Sequence, residues 1–146
     1  MKKTRILLVD DHDIVRLGLM TLLNDQPDME VVGEARAAAE AVKTAERLQP
    51  DVVLMDIRLP GEGGIEAARQ VIQQVPNSKI VMLTSFADDE LVVRAIRAGA
   101  VGYVLKQVGN EELLRAIRAA ARGEALLDPS TTARLLSRVR EAERKA

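Results

Sequence analysis

Residues 51–61 read DVVLMDIRLPG, and residues 4–11 read TRILLVDD. In each stretch four consecutive apolar residues, 52–55 and 6–9, run straight into aspartate: Asp56 in the first, Asp10 and Asp11 in the second. A short continuous apolar run with polar ends is the pattern of a strand buried on both faces, as in a parallel sheet covered by helices. Two more runs share this character, 80–83 ending at Thr84 and 102–105 ending at Lys106. A fifth, 29–33, is weaker and suits a place nearer an edge.

Helical periods fill the intervals. Residues 12–24 carry Val15, Leu19, Leu22 and Leu23 on one stripe, and 37–48 carry Ala38, Ala41, Val42, Ala45 and Leu48. Segments 65–75, 90–98 and 110–122 repeat the pattern. Pro27, Pro50 and Pro76 punctuate the connections, Gly99 suits a left-handed C-terminal position, and Asn110 is a candidate N-cap. The reading is therefore β-α five times over: an α/β, doubly wound, five-stranded parallel sheet.

The pattern changes after Gly123. Asp128 and Pro129 fit an N-cap and first helical residue, so the stretch to Ala146 is expected to form an additional C-terminal helix. The expected division is 1–124 for the main domain and 125–146 for a linker and helix. From Pro129 onward Arg134, Arg138, Arg140, Arg144 and Lys145 outnumber Glu141 and Glu143, a balance typical of a solvated helix.

Composition narrows the function. With 21 basic and 22 acidic side chains, the net charge of −1 gives no global pull toward nucleic acid or an acidic membrane. One Tyr, one Phe and no Trp leave little for base stacking, and the lack of Cys excludes disulfides and thiolate chemistry. The apolar run near the N-terminus is too short for a targeting or transmembrane segment. A cytoplasmic location is the expectation.

The chemistry lies at the strand ends. In an open parallel sheet, ligands collect beyond the C-terminal ends of the strands, where the strand order reverses. If the strands neighbour one another, Asp10, Asp11 and Asp56 converge and repel unless a cation compensates. Mg²⁺ favours such oxygen donors, and Mn²⁺ is the alternative. Asp56 stands alone at its strand end and suits phosphoryl acceptance, whereas the Asp10–Asp11 pair suits metal binding. Lys106 can neutralise a phosphoryl oxygen and the Thr84 hydroxyl can donate to it. No general base is required, so His12, the lone histidine, reads as a capping or surface residue.

These pieces together resemble the receiver domains of bacterial two-component response regulators, especially those with a LuxR-type (NarL/FixJ-like) helix-turn-helix output. The matching stretches are ILLVDDHDIVRLGL, GEA at 33–35, DVVLMDIRLPGEGGIEA, the Thr84–Ser85 pair and GAVGYVLK, in order over residues 4–122. The resemblance implies a flavodoxin-like, CheY-like fold with strand order 2-1-3-4-5. It implies Asp56 as phosphoacceptor, Asp10 and Asp11 as the metal pair, and the backbone carbonyl of Arg58 as a further metal ligand. It also implies Thr84 as the switch hydroxyl, Tyr103 as the aromatic residue that follows it, and Lys106 as the basic group. The implied partners are a sensor histidine kinase and a phosphorylation-dependent homodimer. DNA would be reached only through an output domain absent from this chain, and no membrane is involved.

Two departures stand out. A run of Pro60-Gly61-Glu62-Gly63-Gly64 replaces the usual Pro-x-Met-Asp-Gly, predicting a permissive loop that is costly to order. Gln107 stands where many receivers have proline, which makes a cis peptide there energetically costly. Two rival functions share the motifs. A metal-dependent phosphatase would need a second carboxylate two residues after Asp56, where Arg58 stands. A phosphorylation-independent interaction module would have no use for the intact set of polar residues.

Overall fold

The computed structural model describes residues 2–61, 63–85, 89–106 and 109–124. Ten elements alternate among the described residues. They are β1 (Thr4–Val9), α1 (Asp13–Asn24), β2 (Met29–Ala35), α2 (Ala38–Leu48), β3 (Val52–Asp56), α3 (Gly63–Gln74), β4 (Lys79–Thr84), α4 (Asp89–Arg97), β5 (Gly102–Leu105) and α5 (Asn110–Ala121). The five strands are parallel in the order β2-β1-β3-β4-β5, with the weak strand β2 at an edge. The anticipated C-terminal helix over 125–146 lies outside the described residues, as do Glu62 and Gln107.

The strand runs are continuously apolar because both faces of the sheet are covered. Successive side chains point to opposite faces. Leu7, Val9, Val53, Met55, Ile80, Met82 and Tyr103 pack on one side with Ala41 and Ala45 of α2, Ala68 and Val71 of α3, and Val92 and Ala95 of α4. The alternate residues Ile6, Leu8, Val52, Leu54, Val81, Leu83 and Val104 pack on the other with Leu23 of α1 and Leu113, Leu114 and Ile117 of α5. The chain leaves β1 toward β2 and returns past it to β3. The crevice beyond β1 and β3 is thus the point where the direction of winding reverses.

Two local expectations are corrected. Helix α3 begins at Gly63, so Gly63 and Gly64 belong to its first turn and not to a loose loop. Gly64 donates its amide to the Ile57 carbonyl at 2.9 Å. A Cβ there would sit 2.2 Å from the Asp56 carbonyl oxygen and 2.8 Å from Ile57 Cα. The glycine is required by close backbone approach. Gly61 and Gly63, at φ +89° and +87°, supply the left-handed turn that makes the approach possible. At α5 the N-cap is Gly109, and Asn110 is the first helical residue. Gly99, at φ +112°, does end α4 in the positive-φ region, where a Cβ would also meet Ile72 Cδ1 at 2.5 Å.

Candidate functional site

Asp10 follows β1 and Asp56 ends β3, adjacent strands in matching register up to Val9 opposite Met55. Their carboxylates are nearly excluded from solvent, with side-chain exposures of 2% and 6%. Lys106, just beyond β5, reaches across the sheet edge and joins them. Its Nζ lies 3.2 Å from Asp10 Oδ2 and 3.1 Å from Asp56 Oδ2. The remaining oxygens are held by backbone amides: His12 N donates to Asp10 Oδ1 at 2.8 Å, and Arg58 N donates to Asp56 Oδ1 at 3.0 Å.

Asp11 lies beside them with its Oδ1 screened from solvent and lacking a hydrogen-bond partner among the described residues. His12 Nδ1 stands 3.2 Å from that oxygen and 3.0 Å from Asp10 Oδ1. The ring hydrogen-bonds only to Asp10, so the Asp11 contact is proximity without a bond. One donor atom each from Asp10, Asp11, His12 and Asp56 falls within 4.8 Å of all the others. His12 was expected to act as a cap or surface residue. It is a surface residue, with 64% of its side chain exposed, and occupies the N-cap position of α1, but the side chain caps no amide and its Nδ1 turns to the carboxylates.

The electrostatics follow from this packing. Burial pushes the Asp56 carboxyl above its ordinary range and the neighbouring Asp10 charge adds to the rise; the Arg58 amide and Lys106 oppose them without cancelling the effect. Burial works against the charge on Lys106, yet hydrogen bonding to Asp56 and the charges of both carboxylates outweigh it, and the ammonium is held above its usual value. One ammonium faces the Asp10 and Asp56 carboxylates, and Asp11 brings a third carboxylate to the cluster. An added divalent cation would find oxygen donors, one of them accepting no hydrogen bond among the described residues, and excess negative charge, so the donor set fits a hard cation.

Thr84 ends β4 and is buried, one residue past Leu83, the register partner of Asp56. Its carbonyl accepts the Lys106 amide at 2.7 Å, fastening the lysine to the neighbouring strand end. Tyr103 is buried in the core beneath α4, opposite Met82, and is not a member of the carboxylate cluster. The sequence reading missed Arg16, which is 8% exposed and donates from Nη1 to the Asp10 carbonyl at 2.6 Å. It also missed the close fit of Gly64 beneath Asp56. Asp13 three residues before Arg16 signals an ion pair on α1, but not the guanidinium's burial.

Residues 6–118 match the family model described as the response regulator receiver domain. The chain belongs to this family. Among curated relatives of the receiver, the transcriptional regulatory protein LiaR of Bacillus subtilis (strain 168) is 46% identical over 142 residues, covering 97% of this chain and 67% of that protein. The DNA-binding transcriptional activator DevR/DosR of Mycobacterium tuberculosis is 42% identical over 97% of this chain and 65% of its own length. The chain thus spans about two thirds of the length of these relatives. The crystal structure of a LuxR-family two-component response regulator from Aurantimonas sp. SI85-9A1 superposes with a TM-score of 0.88 at 38% identity, covering 94% of this chain and 98% of that one. The strand order expected from the motifs is the one found, and the acidic cluster lies at the crevice of a receiver fold. The domain serves two-component signal transduction and is not a conventional enzyme. Among the described residues, no helix is long and apolar enough to cross a membrane.

Proposed function

We propose that Asp56 is the phosphoacceptor of this receiver, with a sensor histidine kinase as donor and Mg²⁺ or Mn²⁺ as cofactor. The observation that carries the reading is the Lys106 ammonium shared between the buried Asp10 and Asp56 carboxylates, with an Asp11 oxygen beside them that accepts no hydrogen bond among the described residues. Asp10, Asp11, Asp56 and the backbone carbonyl of Arg58 would hold the metal. When bound, the cation supplies positive charge that offsets the repulsion of the carboxylates and the charge of the incoming phosphoryl oxygens.

The chain's own groups do the rest. An Asp56 carboxylate oxygen attacks phosphorus in line, forming an O–P bond as the N–P bond of the donor phosphohistidine breaks. The electron pair of that bond stays on the imidazole nitrogen. Lys106 stabilises the negative charge on the transferred group, and the Arg58 amide keeps Asp56 in one rotamer for attack. The product is an acyl phosphate, later hydrolysed to restore the carboxylate.

The output follows from the added charge and acceptor oxygens. Thr84 donates to the phosphoryl group, and its shift together with that of Tyr103 biases the surface of α4 and β5 between two packings. Residues 1–124 act as the receiver, and 125–146 connect it to a DNA-binding output domain. The native regulator is cytoplasmic and dimerises when phosphorylated. Incubation with Mg²⁺ and a small acyl phosphate, followed by intact mass and size-exclusion chromatography, tests the reading. One phosphoryl group should add to the wild type and none to Asp56→Asn. Equal labelling of that variant would remove Asp56 from its role.

A further inference from the structure

We infer that Arg16 is a positioning residue for the acidic pair, fixing the peptide that joins Asp10 to Asp11 and so setting the site's affinity for a divalent cation. The inference rests on the phosphoacceptor reading above and assigns a role in it to a residue outside the carboxylate cluster.

A guanidinium is an expensive group to bury, and a buried ion pair is weak evidence for stability by itself. Arg16 is buried on α1 with three acceptors, and those acceptors differ in kind. Nη2 donates to Asp13 Oδ1 at 2.5 Å and Nε to Glu34 Oε1 at 3.0 Å, both on carboxylates with more than a third of their side chain in solvent. Nη1 donates to the Asp10 carbonyl at 2.6 Å, and this bond alone is buried. Asp13 and Glu34 therefore hold the fork in place, and its interior arm grips the metal loop. Arg36 also approaches Asp13, at 3.6 Å, so the carboxylate that anchors Arg16 is itself tethered.

The grip falls at a decisive place. The Asp10 amide donates to the Ala35 carbonyl at the end of β2 at 3.1 Å. With its carbonyl tied through Arg16 to Glu34 on the same strand, the backbone of Asp10 is fixed on both sides. Its carboxylate must then face Lys106, and the next peptide must present Asp11 beside it. Arg16 binds no reacting atom. It acts as outer support for the acidic pair, and removing support of this kind typically weakens metal affinity about 10–100-fold. Lysine cannot replace it, because a single ammonium lacks the planar fork that reaches all three acceptors.

The test is Mn²⁺ binding, followed by the loss of free-ion signal in electron paramagnetic resonance, at a temperature well below the melting point of every variant. Arg16→Met should raise the dissociation constant about tenfold or more, and Arg16→Lys should recover little of the loss. Arg118→Met, which breaks a different arginine clamp at the far end of the sheet, should lower the melting temperature and leave Mn²⁺ affinity unchanged. An Arg16→Met protein that melts earlier but binds Mn²⁺ as the wild type does would overturn the inference and leave the phosphoacceptor reading standing. If Arg16→Met does not fold, Glu34→Gln decides, with weaker binding expected and unchanged binding contradicting. A wild type that binds no Mn²⁺ would defeat both.

Discussion

The two ends of the sheet treat polar groups in opposite ways. At the N-terminal ends of the strands, polar groups close on one another. Asp51 accepts the Arg5 amide at 2.8 Å, the Ser78 hydroxyl donates to the Pro50 carbonyl at 2.5 Å, and Arg118 grips Asp28 through Nε and Nη2 at 2.9 and 3.1 Å. Each of these acids has its own donor. At the C-terminal ends, the Asp10 and Asp56 carboxylates share one ammonium, and Oδ1 of the neighbouring Asp11 accepts no hydrogen bond among the described residues. The first arrangement satisfies buried and half-buried polar groups and stabilises the fold. The second leaves negative charge in excess, with backbone amides of His12 and Arg58 holding two of the carboxylates in place. The contrast separates residues kept for folding from residues kept for chemistry.

Substitution at Lys106 should break this contrast most sharply. Lys106→Met removes the shared ammonium, and phosphoryl transfer from an acyl phosphate should slow about 100-fold, as for loss of one preorganised charge stabiliser. Its melting temperature should also gain more from added Mg²⁺ than the wild type's does, since the cation becomes the sole counter-charge. A variant with a lower melting temperature and an unchanged labelling rate would move Lys106 to the structural side.

The glycines sharpen the comparison through stability. Gly64→Ala drives a methyl group into backbone atoms of Asp56 and Ile57 that have no rotamer to escape into, and denaturant unfolding should show a loss of about 1–3 kcal/mol. Gly18→Ala in α1 meets no atom within 4 Å and should instead stabilise by about 0.5–1 kcal/mol. The same substitution changes sign because only one of these glycines lies under the site.

Arg118→Met should have the smallest effect, and it carries a pH signature. The hydrogen bond from Arg118 holds the Asp28 carboxyl below its usual range. A carboxyl lowered in the folded state contributes stability above its unfolded value near pH 4, and loses that contribution as pH falls through the folded value. The wild type should therefore exceed the variant in unfolding free energy at pH 7, with the gap closing in acid. Both side chains are more than a third exposed, so screening keeps the gap below about 1 kcal/mol. A gap that widens in acid would contradict this origin.

The sheet and its polar strand ends were legible because parallel strands buried on both faces must be continuously apolar. The residue that follows each run then stands out, as Asp10, Asp56, Thr84 and Lys106 do. Arg16 was not legible, since an arginine in an amphipathic helix counts as solvated until Glu34, eighteen positions away, is folded against it. Gly64 reads as freedom in the chain, and only the approach of α3 to β3 turns it into a steric requirement. His12 reads as a cap or surface residue and is exposed, but that its Nδ1 faces the acidic pair was not legible, because the direction of its ring depends on where both neighbouring carboxylates point. The missed features all depend on contacts between segments distant in sequence or on side-chain direction, which neither periodicity nor turn chemistry encodes.

The central claim, that the charge-deficient end of the sheet accepts phosphoryl on Asp56, is tested most directly by locating the bond. After reaction with an acyl phosphate and a divalent cation, borohydride reduction converts an aspartyl phosphate to homoserine, which peptide mass spectrometry places in the sequence. Homoserine at position 56, and at neither 10 nor 11, is the result expected. Homoserine at position 10 or 11, or at any other aspartate with residue 56 unchanged, would contradict the account.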